Sequence, residues 1–136
     1  MYAKILVPIE MSHKDSGAKA ISIAKELVDE GGDIILVNVV DEVPSYVKAE
    51  LPMEFLKNSE AQAYENLNKI AKDQGIDTPV EIGKGNAATA ILALAKSHQI
   101  DLIVVASHRP GFTDYFLGST AARIVRHAQC PVLVDR

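Results

Sequence analysis

Five short apolar runs alternate with stretches of helical spacing, and this alternation constrains the fold more than any other feature of the sequence. The runs are rich in Val and Ile and mostly lack polar alternation, and they cover residues 3–8, 33–40, 79–82, 101–106 and 131–134. Runs of this kind are typical of parallel strands that are covered on both faces. The sequence therefore predicts five strands of a buried parallel sheet.

The stretches between the runs carry apolar residues three and four positions apart, which places them on one face of a helix. After the first run, Ala20, Ala24 and Leu27 share such a face, and Gly31–Gly32 is predicted to end the helix. Three later stretches show the same apolar spacing and are also predicted to be helices. Asn86 is a candidate N-cap for the third of the four helices. The predicted order is βαβαβαβαβ, in one domain spanning residues 1–136.

This order predicts a doubly wound α/β fold. Five parallel strands joined by right-handed crossovers usually adopt the order 3-2-1-4-5, with helices on both faces, in a Rossmann-like arrangement. Ligands of such sheets bind beyond the carboxyl ends of strands 1 and 4, where the winding direction reverses. The loops that begin after residues 8 and 106 are therefore the candidate ligand-binding loops.

The second of these loops ends in Gly118-Ser119-Thr120, directly before a predicted helix. A helix N-terminus exposes unpaired N–H groups and a partial positive charge, which favours an anion such as phosphate. Across the loop, His108 and Arg109 add potential positive charge. The alternative interpretation is ordinary N-capping by Ser119 or Thr120.

The first loop differs in character, because Pro8 stiffens the strand exit and Glu10 places a carboxylate just beyond it. This carboxylate is a candidate acceptor for ribose hydroxyls, or else a solvated loop acid. At the end of the second run, the backbone of Val39 is a candidate reader of an adenine edge, or else the residue belongs only to the core. The glycine-rich turn at 83–86 either borders a ligand or serves only as a turn and a cap.

Other classes of protein are disfavoured by composition and by missing motifs. The sequence contains neither a dinucleotide-binding G-x-G-x-x-G after a strand, nor a P-loop, nor a G-x-S-x-G nucleophile elbow. The net charge of −4 argues against a nucleic-acid partner, and no run reaches the length of a signal peptide or membrane span. We expect a cytoplasmic protein with no metal site and no catalytic residues, and we expect Cys130 to be a small core residue.

Several segments together resemble the universal stress protein family, and the resemblance runs the length of the chain. They are A-K-I-L-V-P-I-E at the start, N-V-V-D-E after the second run, G-N-A-A-T-A-I, and L-I-V-V-A-S-H-R-P…L-G-S-T-A-A-R-I-V-R-H-A-Q-C-P-V-L-V at the end. The resemblance implies an adenine-nucleotide-binding fold with five strands, of the adenine nucleotide alpha hydrolase type. It also implies a homodimer through the last strand, 131–135, and leaves open whether dimers pair into tetramers.

The resemblance further implies a set of binding residues, matched position by position. Pro8, Ile9 and Glu10 match the ribose and adenine loop, in which Glu10 replaces the usual Asp, and Val39 matches the adenine-reading backbone. The remaining matched positions are Gly85 before the third helix and, in the phosphate loop, Ala106, Ser107, His108, Arg109, Gly118, Ser119 and Thr120. The implied ligand is ATP or a related adenine nucleotide, with or without Mg²⁺.

One departure from the family pattern leaves two interpretations of the phosphate loop. The nucleotide-binding branch carries G-2x-G-9x-G-[ST], whereas Ala106 and Arg109 stand at the first two glycines and only eight residues separate Arg109 from Gly118. Arg109 either supplies charge to the phosphates in place of backbone N–H groups or fills the space they need.

The principal hypothesis is therefore an ATP-binding or adenine-nucleotide-binding regulatory module of the stress response. The alternative is a dimeric family member that binds protein partners without nucleotide. A third hypothesis, a slow ATPase, would need His108 as its base, and the sequence contains no placed acid–base pair.

Overall fold

The computed structural model describes residues 1–41, 46, 49–107 and 117–136, and in this part of the chain strands alternate with helices. The strands are β1 (Tyr2–Pro8), β2 (Val28–Val40), β3 (Glu81–Lys84), β4 (Leu102–Ala106) and β5 (Val132–Asp135). The helices are α1 (Lys14–Leu27), α2 (Met53–Asp73), α3 (Ala87–Ser97) and α4 (Ser119–His127), and a short 3-10 turn, Met11–His13, precedes α1.

The five strands form one parallel sheet in the order β3-β2-β1-β4-β5, as predicted. Strand β1 lies between β2 and β4, with Leu6 opposite Ile35 on one side and opposite Ile103 on the other. The winding direction therefore reverses between β1 and β4, and the carboxyl ends of these two strands meet at one edge of the sheet.

Helices cover both faces of the sheet, and each face has its own apolar core. Ile5, Val7 and Leu36 pack under α1 and α2, whereas Leu6 and Val105 pack under α3 and α4. Because consecutive residues of a strand point to opposite faces, the continuous apolar runs supply both cores at once. No described helix is long and apolar enough to cross a membrane.

The glycine pair after α1 has a different role from the predicted helix stop. Helix α1 already ends at Leu27, and β2 begins at Val28, so Gly31 and Gly32 lie within the strand. The pairing with β1 shifts in register here, Gly31 adopts a φ of +79°, and a Cβ on Gly32 would lie 2.8 Å from the carbonyl oxygen of Ala3. The glycines are required by this irregularity in the strand pairing rather than by a helix C-cap.

Candidate functional site

A cleft of about 220 Å³ opens at the carboxyl edge of the sheet, above the β1–β4 reversal. The strand exits contribute Pro8 at the end of β1, Ile9 and Glu10 directly after it, and Val105 and Ala106 at the end of β4. The rest of the lining comes from β2 and the residue that follows it and from three helices: Val37, Asn38, Val39, Asp41, Gly17, Ala87, Ile91, Thr120, Ala121 and Ile124. The cleft is thus apolar at its base and has a small number of polar groups at its rim, as ligand pockets commonly do.

The loop after β1 is fixed by two hydrogen bonds to β2. The backbone N–H of Ile9 donates to the Val37 carbonyl at 2.8 Å, and the side-chain Nδ2 of Asn38 donates to the Ile9 carbonyl at 2.7 Å. The Ile9 side chain is buried, while Glu10, the next residue, is exposed. Both backbone groups of Ile9 therefore have hydrogen-bond partners, and the backbone that leads into Glu10 at the cleft rim is held in place.

Helix α1 approaches this loop closely, and a glycine makes the approach possible. A Cβ on Gly17 would lie 3.1 Å from Cδ1 and 3.4 Å from Cγ2 of Ile9. Such contacts are tighter than ordinary packing, so a larger residue at Gly17 would push against Ile9.

The exit of β4 is joined to the start of α4 by a serine. The N–H of Gly118 donates to Ser107 Oγ at 2.9 Å, and the N–H of Ser107 donates to the Asp135 carbonyl of β5 at 2.8 Å. The hydroxyl of Ser107 thus connects the two ends of the segment 108–116 across the edge of the sheet. This role differs from the ligand contact that the family resemblance implies for Ser107.

The first turn of α4 has no side-chain cap. Gly118 occupies the N-cap position, Ser119 is exposed, and no side-chain cap hydrogen bond forms. The alternative interpretation, N-capping by Ser119 or Thr120, is therefore wrong. The first N–H groups of a helix have no intrahelical acceptor, so without a side-chain cap this turn is suited to accept an anionic group.

The turn between β3 and α3 brings a second helix N-terminus to the same edge of the sheet. Gly85 has a φ of +90°, a conformation that L side chains rarely adopt, and its N–H donates to the Val40 carbonyl at 3.0 Å. The predicted N-cap is confirmed, because Asn86 Oδ1 accepts from the N–H of Thr89 at 3.0 Å. The same oxygen accepts from Nη1 of Arg123 at 3.2 Å, which ties α4 to the start of α3.

The structure brings half of the sequence-predicted residues into the cleft lining. These are Pro8, Ile9, Glu10, Val39, Ala106 and Thr120. Four others, Gly85, Ser107, Gly118 and Ser119, lie in the flanking turns or at the start of α4 and are not part of the lining. His108 and Arg109 lie outside the described residues.

Nine described residues of the cleft lining were missed by sequence reasoning, among them Gly17, Asn38 and Asp41. The signal for Asn38 was present, because it is the one polar residue in the otherwise apolar run from Ile34 to Val40. Gly17 gave no such signal, since its importance depends on a contact with Ile9 that only the tertiary structure creates.

The described residues contain no group of three or more His, Cys, Asp or Glu side chains placed to hold a metal ion. Among the described residues, the charged groups that line the cleft are the carboxylates of Glu10 and Asp41, both exposed at its rim. These groups are suited to accept hydrogen bonds from hydroxyls, and the positive end of α4 is suited to a negative group. The cleft thus has one side, at Glu10 and Asp41, that accepts hydrogen bonds and another, at the start of α4, that favours negative charge.

Fold and cleft together define a doubly wound α/β protein with an open cleft at its topological switch point. A family model for the universal stress protein family matches residues 1–136. A universal stress protein of Methanocaldococcus jannaschii is 34% identical over 139 residues, which cover 98% of this chain and 82% of that protein. The chain therefore belongs to the universal stress protein family.

Solved structures agree with this assignment. The universal stress protein UspA from Lactobacillus plantarum superposes with a TM-score of 0.74 and 27% identity, covering 99% of this chain and 98% of that one. A universal stress protein solved in complex with cAMP has a TM-score of 0.65 and 21% identity, covering 99% and 97% of the two chains. The likeness to the cAMP complex is one of fold.

Proposed function

We propose that the protein binds ATP or a related adenine nucleotide in the cleft at the β1–β4 reversal, and that it acts as a cytoplasmic regulatory module of the stress response. The observation that carries the proposal is the convergence, in one crevice, of Ile9 and Glu10 from the first loop, Val39 from β2, and Ala106 and Thr120 from the second loop. We treat residues 1–136 as one functional domain.

On the base and ribose side, we assign the backbone of Val39 to the adenine edge and the carboxylate of Glu10 to the ribose hydroxyls. Two observations support the assignment. Val39 and Glu10 line the same cleft, and Ile9 is held by two hydrogen bonds, so that Glu10 starts from a fixed backbone position. A carboxylate only accepts hydrogen bonds, and ribose hydroxyls donate them.

On the phosphate side, we assign the uncapped first turn of α4, with Gly118 at its N-cap and Thr120 in the cleft lining. Phosphate would meet N–H groups and the positive end of the helix there. We further propose that His108 and Arg109 complete this side. The fold shared with the cAMP-bound universal stress protein supports a nucleotide as the ligand.

Isothermal titration calorimetry with ATP and ADP tests the proposal. At a protein concentration of about 0.1 mM, calorimetry detects even weak binding, and we expect saturable heat with one site per chain. ATP and ADP titrated with and without Mg²⁺ would show whether the ion takes part. Absence of heat with both nucleotides would exclude the proposed function.

A second candidate function, dimerisation and partner binding without nucleotide, is favoured by one specific observation. Ala106 and Arg109 occupy the positions of the first two pattern glycines, and the loop is one residue short. Substitution of Arg109 by Gly separates the two candidates. If Arg109 grips phosphate, Arg109→Gly weakens ATP binding, and if Arg109 fills the pocket, the same change creates ATP binding.

For the dimer we propose an interface through the outer edge of β5 (Val132–Asp135), within the predicted segment 131–135. This strand is at the edge of the sheet, its four residues are half-buried in the single chain, and an edge strand presents backbone groups that can pair with a second copy. Sedimentation of the protein with and without Val134→Lys tests this assignment. An unchanged dimer in the variant would contradict it.

Slow ATP hydrolysis through His108 is tested by phosphate release from wild type and His108→Ala.

A further inference from the structure

We infer that Lys19 and Asp135 are positioning residues for the phosphate side of the cleft, because their ion pair holds the end of β5 to which Ser107 is bonded. The inference rests on the proposed nucleotide function, and it concerns two residues that the family resemblance does not assign. Neither residue is part of the cleft lining, but Asp135 is the strand partner of Ala106, which is.

The carboxyl end of β5 is bonded to the residue that follows β4. Strand β5 has four residues and lies at the edge of the described sheet, where it pairs with β4. The carbonyl of its last residue, Asp135, accepts a hydrogen bond from the N–H of Ser107 at 2.8 Å. The end of a short edge strand opens more easily than a central strand does. The position of Ser107 therefore depends on how firmly the end of β5 is held.

An ion pair to α1 adds to this hold. Nζ of Lys19 lies 3.4 Å from Oδ1 of Asp135, and the Asp135 side chain is 18% exposed whereas that of Lys19 is 65% exposed. A carboxylate that is largely removed from water gains more from a cation than an exposed one does, and solvent on the lysine side limits the gain. We therefore expect the pair to change ligand affinity severalfold.

Ser107 connects the end of β5 to the start of α4. Its hydroxyl accepts a hydrogen bond from the N–H of Gly118 at 2.9 Å, and Gly118 is the N-cap of the helix. The first turn of α4 is the proposed phosphate contact, and apparent affinity falls with the fraction of molecules that hold a site in its binding arrangement. Loss of the ion pair should therefore weaken ligands that carry phosphate. Adenosine, which carries none, should be unaffected.

Calorimetric titration of ATP and adenosine into wild type, Lys19→Met and Asp135→Asn tests the inference. Each variant removes one charge of the pair at similar side-chain size. Lys25→Met is the matched control for the lysine, because it removes a cation from the last turn of the same helix. Asp77→Asn, at an exposed position between α2 and β3, is the control for the aspartate.

We expect Lys19→Met and Asp135→Asn to lower ATP affinity about threefold to fivefold and to bind adenosine like wild type, whereas the controls bind both ligands like wild type. Because Ser107 is the link, Lys19→Met should have no further effect on ATP affinity in a Ser107→Ala background. Hydrogen exchange in nucleotide-free protein should be faster at the Gly118 amide in Lys19→Met than in Lys25→Met.

Equal weakening of ATP and adenosine, or unchanged ATP affinity in both variants, overturns the inference and leaves the proposed function intact. Tighter ATP binding by Asp135→Asn with weaker binding by Lys19→Met also contradicts it, because Lys19 would then contact the phosphates itself. Unchanged exchange at Gly118 counts against it in the same way. A wild-type protein that binds no ATP overturns the proposed function, and the inference falls with it.

Discussion

Ser107 Oγ accepts a hydrogen bond from the backbone N–H of Gly118 at 2.9 Å, and this bond joins the end of β4 to the beginning of α4. The two residues are eleven positions apart in the chain. Because the backbone of Ser107 also bonds to Asp135, one residue connects the candidate phosphate side of the cleft with the edge strand β5.

Replacement of Ser107 by Ala should weaken this junction. Loss of the hydroxyl leaves the half-buried N–H of Gly118 without its acceptor, so we expect a loss of about 1 kcal/mol in the free energy of unfolding. Urea denaturation of the variant against wild type measures it. Ser119→Ala is the matched control, because Ser119 is exposed and makes no cap hydrogen bond, and it should change stability by less than about 0.5 kcal/mol. Equal effects of the two substitutions would refute the role of Ser107.

Replacement of Asn86 by Ala should destabilise α3 at its start. Asn86 Oδ1 accepts from the N–H and the hydroxyl of Thr89 and from Arg123, so three donors lose one acceptor. We expect a loss of about 1–2 kcal/mol, as for other N-cap substitutions. Asn86→Asp keeps the acceptor and should restore most of the stability. Thermal unfolding of both variants checks this, and an Asp variant as unstable as the Ala variant would speak against the cap.

Replacement of Gly17 by Ala should lower nucleotide affinity more than stability. Ala gains about 1 kcal/mol of helix propensity over Gly, and this gain offsets part of the crowding caused by a Cβ 3.1 Å from Ile9. We expect the displaced Ile9 loop to weaken ATP binding severalfold while the melting temperature changes little. Ser22→Ala, on the exposed side of α1, is the control and should bind like wild type. Wild-type affinity in Gly17→Ala would contradict the proposed role of the loop.

The thiol of Cys130 should react slowly in the folded protein. Burial raises the pKa of this thiol, and the negative charge of Asp101 raises it further. The folded state therefore holds the thiol proton more tightly than the unfolded chain does. This contribution to stability is present below the unfolded thiol pKa and is lost as pH rises through the higher folded value. Since the thiolate is the nucleophile, iodoacetamide near about pH 8 should label folded protein more slowly than protein unfolded in urea. Equal rates would contradict the shift.

The fold could be predicted from the sequence because its determinants are local. Runs such as Ile34 to Val40 indicate a strand by their own composition. The connection rules for parallel sheets then reduce the possible strand orders to very few. The glycines at 31 and 32 were misassigned because a glycine pair can end a helix or permit a strand irregularity. The close approach of Gly32 to the carbonyl oxygen of Ala3, at a shift in the β1–β2 register, decides between the two.

The candidate site could be predicted only in part, because several of its contacts are non-local. Topology alone placed Glu10 and Ala106 at one edge of the sheet. The bond from Asn38 to Ile9 spans 29 positions, and its acceptor is a backbone carbonyl, so no side-chain pattern reveals it. For Ser107, the sequence predicted a ligand contact but gave no sign of the hydrogen bond that its hydroxyl accepts from the backbone N–H of Gly118.

The central claim is that the crevice between the β1 and β4 exits holds an adenine nucleotide. Calorimetric titration of ATP into wild type and Ala106→Leu tests it most directly, because the larger side chain would fill the cleft from the end of β4. We predict saturable binding by wild type with a Kd below about 0.1 mM and at least tenfold weaker binding by Ala106→Leu. Absence of ATP binding by wild type, or equal binding by the two proteins, would contradict the claim.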